Sequence, residues 1–187
     1  MVLTGGESPI NLYRKFVEYK IDWSNIDLFW GDERYVSQNS KSSNYNLAYN
    51  TFIKKIKINK KNLFPVKTEI NSAIKSSKNY SNLIKNYFKN KTISFDCFLL
   101  GMGNDGHIAS IFPYSVELKK KFISKPVYRR DFTRITLGLN IINDSKKTIL
   151  WLNNKFKSKK FNKLKTLGKA IPLNMLNKKR TIVYKVE

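Results

Sequence analysis

A single histidine, His107, closes a loop that reads Gly101–Met102–Gly103–Asn104–Asp105–Gly106. A neutral imidazole is well suited to taking a proton from water near neutral pH, and Asp105, two residues upstream, could orient it. A lone histidine is more often a satisfied structural residue. Its place after a Gly- and Asp-rich loop at a strand end is what favours catalysis here, because glycines let backbone approach a ligand closely. A second cluster, Gly31–Asp32–Glu33–Arg34, carries acid and guanidinium together. On an extended segment Asp32 and Arg34 face the same side, and an arginine there can grip phosphate or carboxylate through two parallel hydrogen bonds. Thr4–Gly5–Gly6 precedes a segment with helical spacing. Backbone N–H groups at a helix N-terminus favour an anion, although a plain turn before a helix would read the same way.

The elements that must hold these clusters are legible in outline. Met1–Leu3 reads as a strand end. Ser8 suits an N-cap and Pro9 a first helical position, with Ile10, Tyr13 and Phe16 following at helical spacing. Ile26–Trp30, Phe95–Leu100, Arg134–Leu137, Thr148–Leu152 and Thr181–Val186 read as strands. Asn44–Ile53 is weakly helical, and Tyr80, Leu83, Ile84 and Tyr87 form a helical stripe after a polar stretch. Phe161 and Leu164 mark a later helix, and His107–Phe112 reads as a short one. Strands alternating with helices predict an α/β domain over residues 1–187: a mainly parallel, Rossmann-like sheet with helices on both faces. In such a sheet ligands bind outside the carboxyl ends of the strands. Gly5–Gly6, Asp32–Arg34 and Asn104–His107 therefore belong on one rim.

Composition narrows the function classes. A hydrophobic fraction of 41% argues for a folded core rather than disorder. No apolar run is long enough to span a bilayer, no secretory signal is visible, and one cysteine, Cys97, cannot form an internal disulfide. These features point to the cytoplasm. The net charge of +23 would suit a nucleic-acid partner. It comes mostly from lysines scattered along a chain also rich in Asn, Ile and Tyr, without Cys/His zinc spacing or an RNP-type strand, which favours compositional drift. Either way, a positive field attracts an anionic substrate. Cys97 reads as core rather than nucleophile, and Ser110 has no second histidine to activate it.

The motifs also resemble a known family. LTGGESPINLY is similar to an SGGSTP-type loop, FWGDERYV followed by Ser43–Asn44–Tyr45 to a DER motif with its SN pair, and DCFLLGMGNDGHIASIFP to a DxLLLGxGxDGHxASLFP signature. RITLGLNIIN resembles an RVTL segment, and Ile171–Pro172–Leu173 a late LPA-type turn. By these motifs the chain resembles the 6-phosphogluconolactonases, a group that also holds glucosamine-6-phosphate isomerases or deaminases. Asp32–Glu33–Arg34 and Ser110–Ile111–Phe112–Pro113 are lactonase-like, where deaminases carry DEY and GHIAFNEP. The resemblance implies metal-free, cofactor-free hydrolysis of 6-phosphoglucono-δ-lactone, with His107 as general base and Asp105 or Asp32 orienting it or the attacking water. It implies substrate and phosphate contacts from Thr4, Gly5, Gly6, Arg34, Asn44, Gly103, Asn104, Arg134 and a lysine at a degenerate turn. Apolar residues four and seven positions on choose Lys157 there over Lys159. The family pattern begins about 30 to 50 residues earlier, so by resemblance the chain reads as N-terminally shortened, without the family's first helix. Fusion to, or association with, a glucose-6-phosphate dehydrogenase fits the same pathway. The readings set against an active lactonase are a non-catalytic basic remnant, a nucleic-acid-binding chain and a deaminase.

Overall fold

A computed structural model describes residues 1–185. Six parallel strands form the central sheet: β1 (Val2–Leu3), β2 (Leu28–Trp30), β4 (Leu63–Phe64), β5 (Cys97–Leu100), β8 (Lys147–Leu152) and β9 (Thr181–Lys185). Their order is β4-β2-β1-β5-β8-β9. The chain winds outward from β1 in one direction through β2 and β4, and in the other through β5, β8 and β9. Three further strands, β3 (Asp32–Arg34), β6 (Ser124–Val127) and β7 (Arg134–Leu137), form a separate antiparallel sheet in the order β3-β7-β6. Among the described residues, five α-helices and several 3-10 turns complete the fold: α1 (Ile10–Glu18), α2 (Asn44–Thr51), α3 (Ala73–Tyr87), α4 (Leu139–Asp144) and α5 (Lys155–Leu164). The closing strand is observed through Lys185; Val186, included in the sequence expectation, lies outside the described residues. Among the described residues, no helix is long and apolar enough to cross a membrane.

The inner strands β1, β2 and β5 are largely buried because their sequences are continuous apolar runs, as parallel strands covered on both faces require, whereas the edge strand β9 is mostly exposed. Leu3, Leu28, Trp30, Phe98 and Leu100 are fully buried in one core. The short β1 and β2 end inside that core, where ladder hydrogen bonds stop and backbone groups still need partners. Two tyrosines supply them in the same way. The Tyr13 hydroxyl, from α1, donates to the Thr4 carbonyl and accepts from the Thr4 amide. The Tyr80 hydroxyl, from α3, does the same for Trp30. Burial pushes both phenols well above their ordinary pKa, so they stay protonated and able to donate. Tyr13→Phe should leave both Thr4 groups unpaired and lower stability by about 1–3 kcal/mol. Chemical denaturation at constant m-value would measure this, and an unchanged midpoint would contradict the pairing.

Several local expectations change. Helix α1 starts at Ile10 with Pro9 as N-cap, and the Ser8 side chain makes no capping bond; it lies beside Gly101. His107–Phe112 is not helical. Ile108 and Ile111 pair with each other across a tight turn that holds Ala109 at φ 47°. Both isoleucines are fully buried, and apolar residues three apart serve this turn as well as they would serve a helix face. Strand β6 and the antiparallel sheet went unseen because Ser124–Val127 is short and contains Pro126, which is tolerated here on a sheet edge.

Candidate active site

Strands β2, β1, β5 and β8 are successive neighbours in the sheet. The segments leaving their carboxyl ends surround a cavity of about 290 Å³. This is where the strand order reverses, so connections diverge and leave a crevice. Thr4, Gly5 and Gly6 reach it from β1, Asp32 and Arg34 from beyond β2, and Gly103 and His107 from β5. Asn153 and Lys157 come from beyond β8, Asn44 from α2 and Arg134 from β7. Asn104 and Asp105 instead line an adjoining open cleft of about 1040 Å³, which His107, Arg134 and Lys157 share with the first cavity. His107 therefore stands where the two spaces meet.

The imidazole is held on one side only. Its Nδ1 lies 2.7 Å from Asp105 Oδ1, and the same oxygen accepts the His107 amide at 3.1 Å. Burial would raise the Asp105 carboxyl, but the hydrogen bonds and charge of His107 outweigh it and bring the pKa down to about 2. An ionised carboxylate can only accept, which assigns the ring proton to Nδ1 and leaves Nε2 bare as a base. Gly103 makes this placement feasible: a Cβ there would lie 2.1 Å from ring atoms Cε1 and Nδ1. The loop closes on itself, with Gly103 N–H donating to the His107 carbonyl and Gly106 N–H to the Gly103 carbonyl. Those two amides are thus engaged within the loop rather than aimed at a ligand.

Asp32 lies in the cavity wall, but it is bonded to Ser110 and Asn44 rather than to the histidine. Ser110 Oγ donates to Asp32 Oδ2 at 2.6 Å, and Asn44 Nδ2 donates to the Asp32 carbonyl at 2.9 Å and to Oδ1 at 3.3 Å. Between the two acids, only Asp105 is hydrogen-bonded to the histidine. Ser110 is fully buried at the inward point of the Ile108–Ile111 turn, with its amide donating to Thr136 Oγ1. It joins the segment after His107 to β3, a role that sequence spacing did not signal. Glu33, between two expected site residues, is also buried and ties β3 to α2. Its neighbours in the DER motif were singled out, and the only sequence signal for Glu33 itself was its place inside that motif.

Three cations surround the cavity. Arg34 Nη1 donates to the Ser42 carbonyl at 2.8 Å. Arg134 pairs with Asp131 and lies 5.2 Å from the Phe112 ring centroid. Lys157 Nζ donates to the Met102 carbonyl at 2.8 Å and Asn104 Oδ1 at 2.7 Å. Lys157 therefore braces the Gly101–His107 loop, and burial lowers its ammonium pKa from the ordinary lysine value. Asn154 caps α5 by accepting from Lys157 N–H at 2.8 Å, which orients this first helical turn toward the loop. Lys159 does not line either space.

Fold and site together define an α/β protein with a basic, histidine-bearing pocket at the switch point of a parallel sheet. The family model of glucosamine-6-phosphate isomerases/6-phosphogluconolactonase matches residues 1–184, and the chain belongs to that family. A 6-phosphogluconolactonase of Thermotoga maritima is 32% identical over 175 residues, covering 92% of this chain and 76% of that protein. The crystal structure of a 6-phosphogluconolactonase from the same organism superposes with a TM-score of 0.86 at 29% identity, covering 99% of this chain and 83% of that one. A 6-phosphogluconolactonase of Nostoc sp. is 33% identical over 153 residues, covering 80% of this chain; the chain spans 64% of that relative's length.

Proposed function

We propose that the chain hydrolyses 6-phosphoglucono-δ-lactone to 6-phosphogluconate, a step of the oxidative pentose phosphate pathway. The observation that carries this reading is the His107–Asp105 pair, set where a cavity ringed by Arg34, Arg134 and Lys157 opens to a wider cleft. The cations hold the phosphate and leave the lactone carbonyl facing Nε2. His107 takes a proton from water as that water attacks the carbonyl carbon. The tetrahedral intermediate collapses, the bond from that carbon to the ring oxygen breaks, and the imidazolium returns its proton to the departing oxygen. Asp105 holds the tautomer and stabilises the transient charge. This mechanism uses no metal and no organic cofactor. The same reading suits the cytoplasm, where a glucose-6-phosphate dehydrogenase that forms the lactone is a candidate for association or fusion.

Hydrolysis of this substrate beside unphosphorylated glucono-δ-lactone, followed by acid release in a pH-stat, tests the reading. Charge-assisted bonds to phosphate should favour the phosphorylated lactone by about 100-fold or more in kcat/KM. Equal rates would remove the phosphate from the recognition scheme. Ammonium release from glucosamine 6-phosphate would move the chain to the other branch of its family.

A further inference from the structure

Glu33 is 1% exposed, a place where a carboxylate persists only with a full set of donors. It has that set. Oε1 accepts the Asn44 amide at 2.6 Å and the Arg34 amide at 2.9 Å, while Oε2 accepts the Tyr45 amide at 2.7 Å and Ser43 Oγ at 3.2 Å. Two of these amides are the first of α2, so the carboxylate also sits at the positive end of that helix. Two of its donors, Arg34 and Asn44, line the cavity. Arg34 follows it directly. Asn44 reaches past it to fix Asp32, and Asn44 itself is 1% exposed, pressed where a Cβ on Gly5 would stand 1.9 Å from its Oδ1. Glu33 touches no space a substrate would fill.

We propose that Glu33 is a positioning residue for substrate binding: its ionised carboxylate locks Arg34 and Asn44 into the cavity wall, and protonation releases that lock. The proposal rests on the lactonase reading of the same pocket. Every bond to Glu33 is one it accepts. Adding a proton removes the negative charge that all four bonds share; of the four partners only the Ser43 hydroxyl can reverse and accept that proton, so the Asn44, Arg34 and Tyr45 amides lose their charge-assisted acceptor and their hold weakens. Burial pushes this carboxyl up to about 7, against the pull of its three amide donors and with the neighbouring Asp32 charge adding to the rise. The other charged or titratable neighbours are Arg34 on its own strand, Tyr45 from α2 and Tyr80 from α3; Ile135 of β7 lies opposite it in the ladder. The lock is therefore closed above neutrality and opens as pH falls through about 7.

The histidine sits on a different element, so the effect should fall on KM rather than kcat. Steady-state hydrolysis by wild type and Glu33→Gln at pH 6 to 8.5 tests this. Wild-type KM should rise toward acid pH. The variant should show KM raised about tenfold at pH 8, a flattened KM profile and a kcat within about threefold of wild type. Carboxyl ¹³C NMR of glutamate-labelled wild type is independent of turnover and of the variant's folding. It should show one glutamate titrating near pH 7, with that resonance moved by 6-phosphogluconate. A folded variant with wild-type KM and pH profile, or the absence of such a titrating carboxyl, would overturn the proposal. Wild type that fails to hydrolyse the lactone yet shows the titration would sink the lactonase reading and leave Glu33's ionisation intact.

Discussion

His107→Ala is expected to lower kcat for lactone hydrolysis by about 10²–10⁴-fold, the usual worth of a positioned general base, while leaving KM within a few-fold of wild type. The division follows from which element carries which group. The imidazole stands on the loop after β5, whereas Arg34 and Arg134 come from the antiparallel sheet and Lys157 from α5. Removing the ring also breaks its bond to Asp105 and its contact with Phe112, whose ring centroid lies 4.6 Å away. The bonded pair is at the protein surface, since 30% of the imidazole and 49% of the Asp105 side chain are exposed, while Phe112 is buried beneath the ring. The melting temperature should therefore move by only a few degrees. A folded variant that keeps wild-type kcat would mean that the base is some other group.

Gly103→Ala should cost nearly as much, about 10²-fold or more in kcat, by moving the histidine without changing it. A methyl group would meet Cε1 and Nδ1 at 2.1 Å and Cγ at 2.7 Å. These separations are far inside contact distance, so the ring must swing away and lose its 2.7 Å bond to Asp105. Gly6→Ala makes a useful contrast. Gly6 also lines the cavity but has open space around its Cβ position, and its φ of 74° makes alanine cost about 1 kcal/mol through backbone strain. That variant should lose stability with little change in kcat. Parallel kinetics and thermal melts on the two alanine variants check the contrast. A Gly103→Ala protein with normal kcat would show that the loop absorbs the methyl group and that the ring position is not critical.

The sequence made the parallel sheet readable because its strands are apolar runs and its ligand-side loops are rich in glycine and acid. The rim was legible for the same reason: Gly5–Gly6, Asp32–Arg34 and Asn104–His107 each follow such a run, and the strands before them prove to be neighbours, although Asn104 faces the adjoining cleft. What could not be read was partner choice among equivalent groups. Asp32 and Asp105 were equal candidates for the histidine until the fold placed Ser110 and Asn44 against Asp32. Ser110 itself was hidden, because the turn that points it inward shares its apolar spacing with a helix. Lys157 was distinguishable from Lys159 by helix phase, but its bonds to Met102 and Asn104 depend on how α5 approaches the β5 loop, a tertiary relation. Glu33 was given no role of its own in its motif and is the most buried residue of it. On a three-residue strand, alternation is too short to say which face is inside.

The most direct test of the lactonase reading is the rate at which the purified wild-type chain consumes freshly generated 6-phosphoglucono-δ-lactone at pH 8, with spontaneous ring opening subtracted and folding confirmed by circular dichroism. The account predicts hydrolysis well above the blank, proportional to protein concentration and unaffected by chelator. A folded chain that opens the lactone no faster than the blank would contradict it.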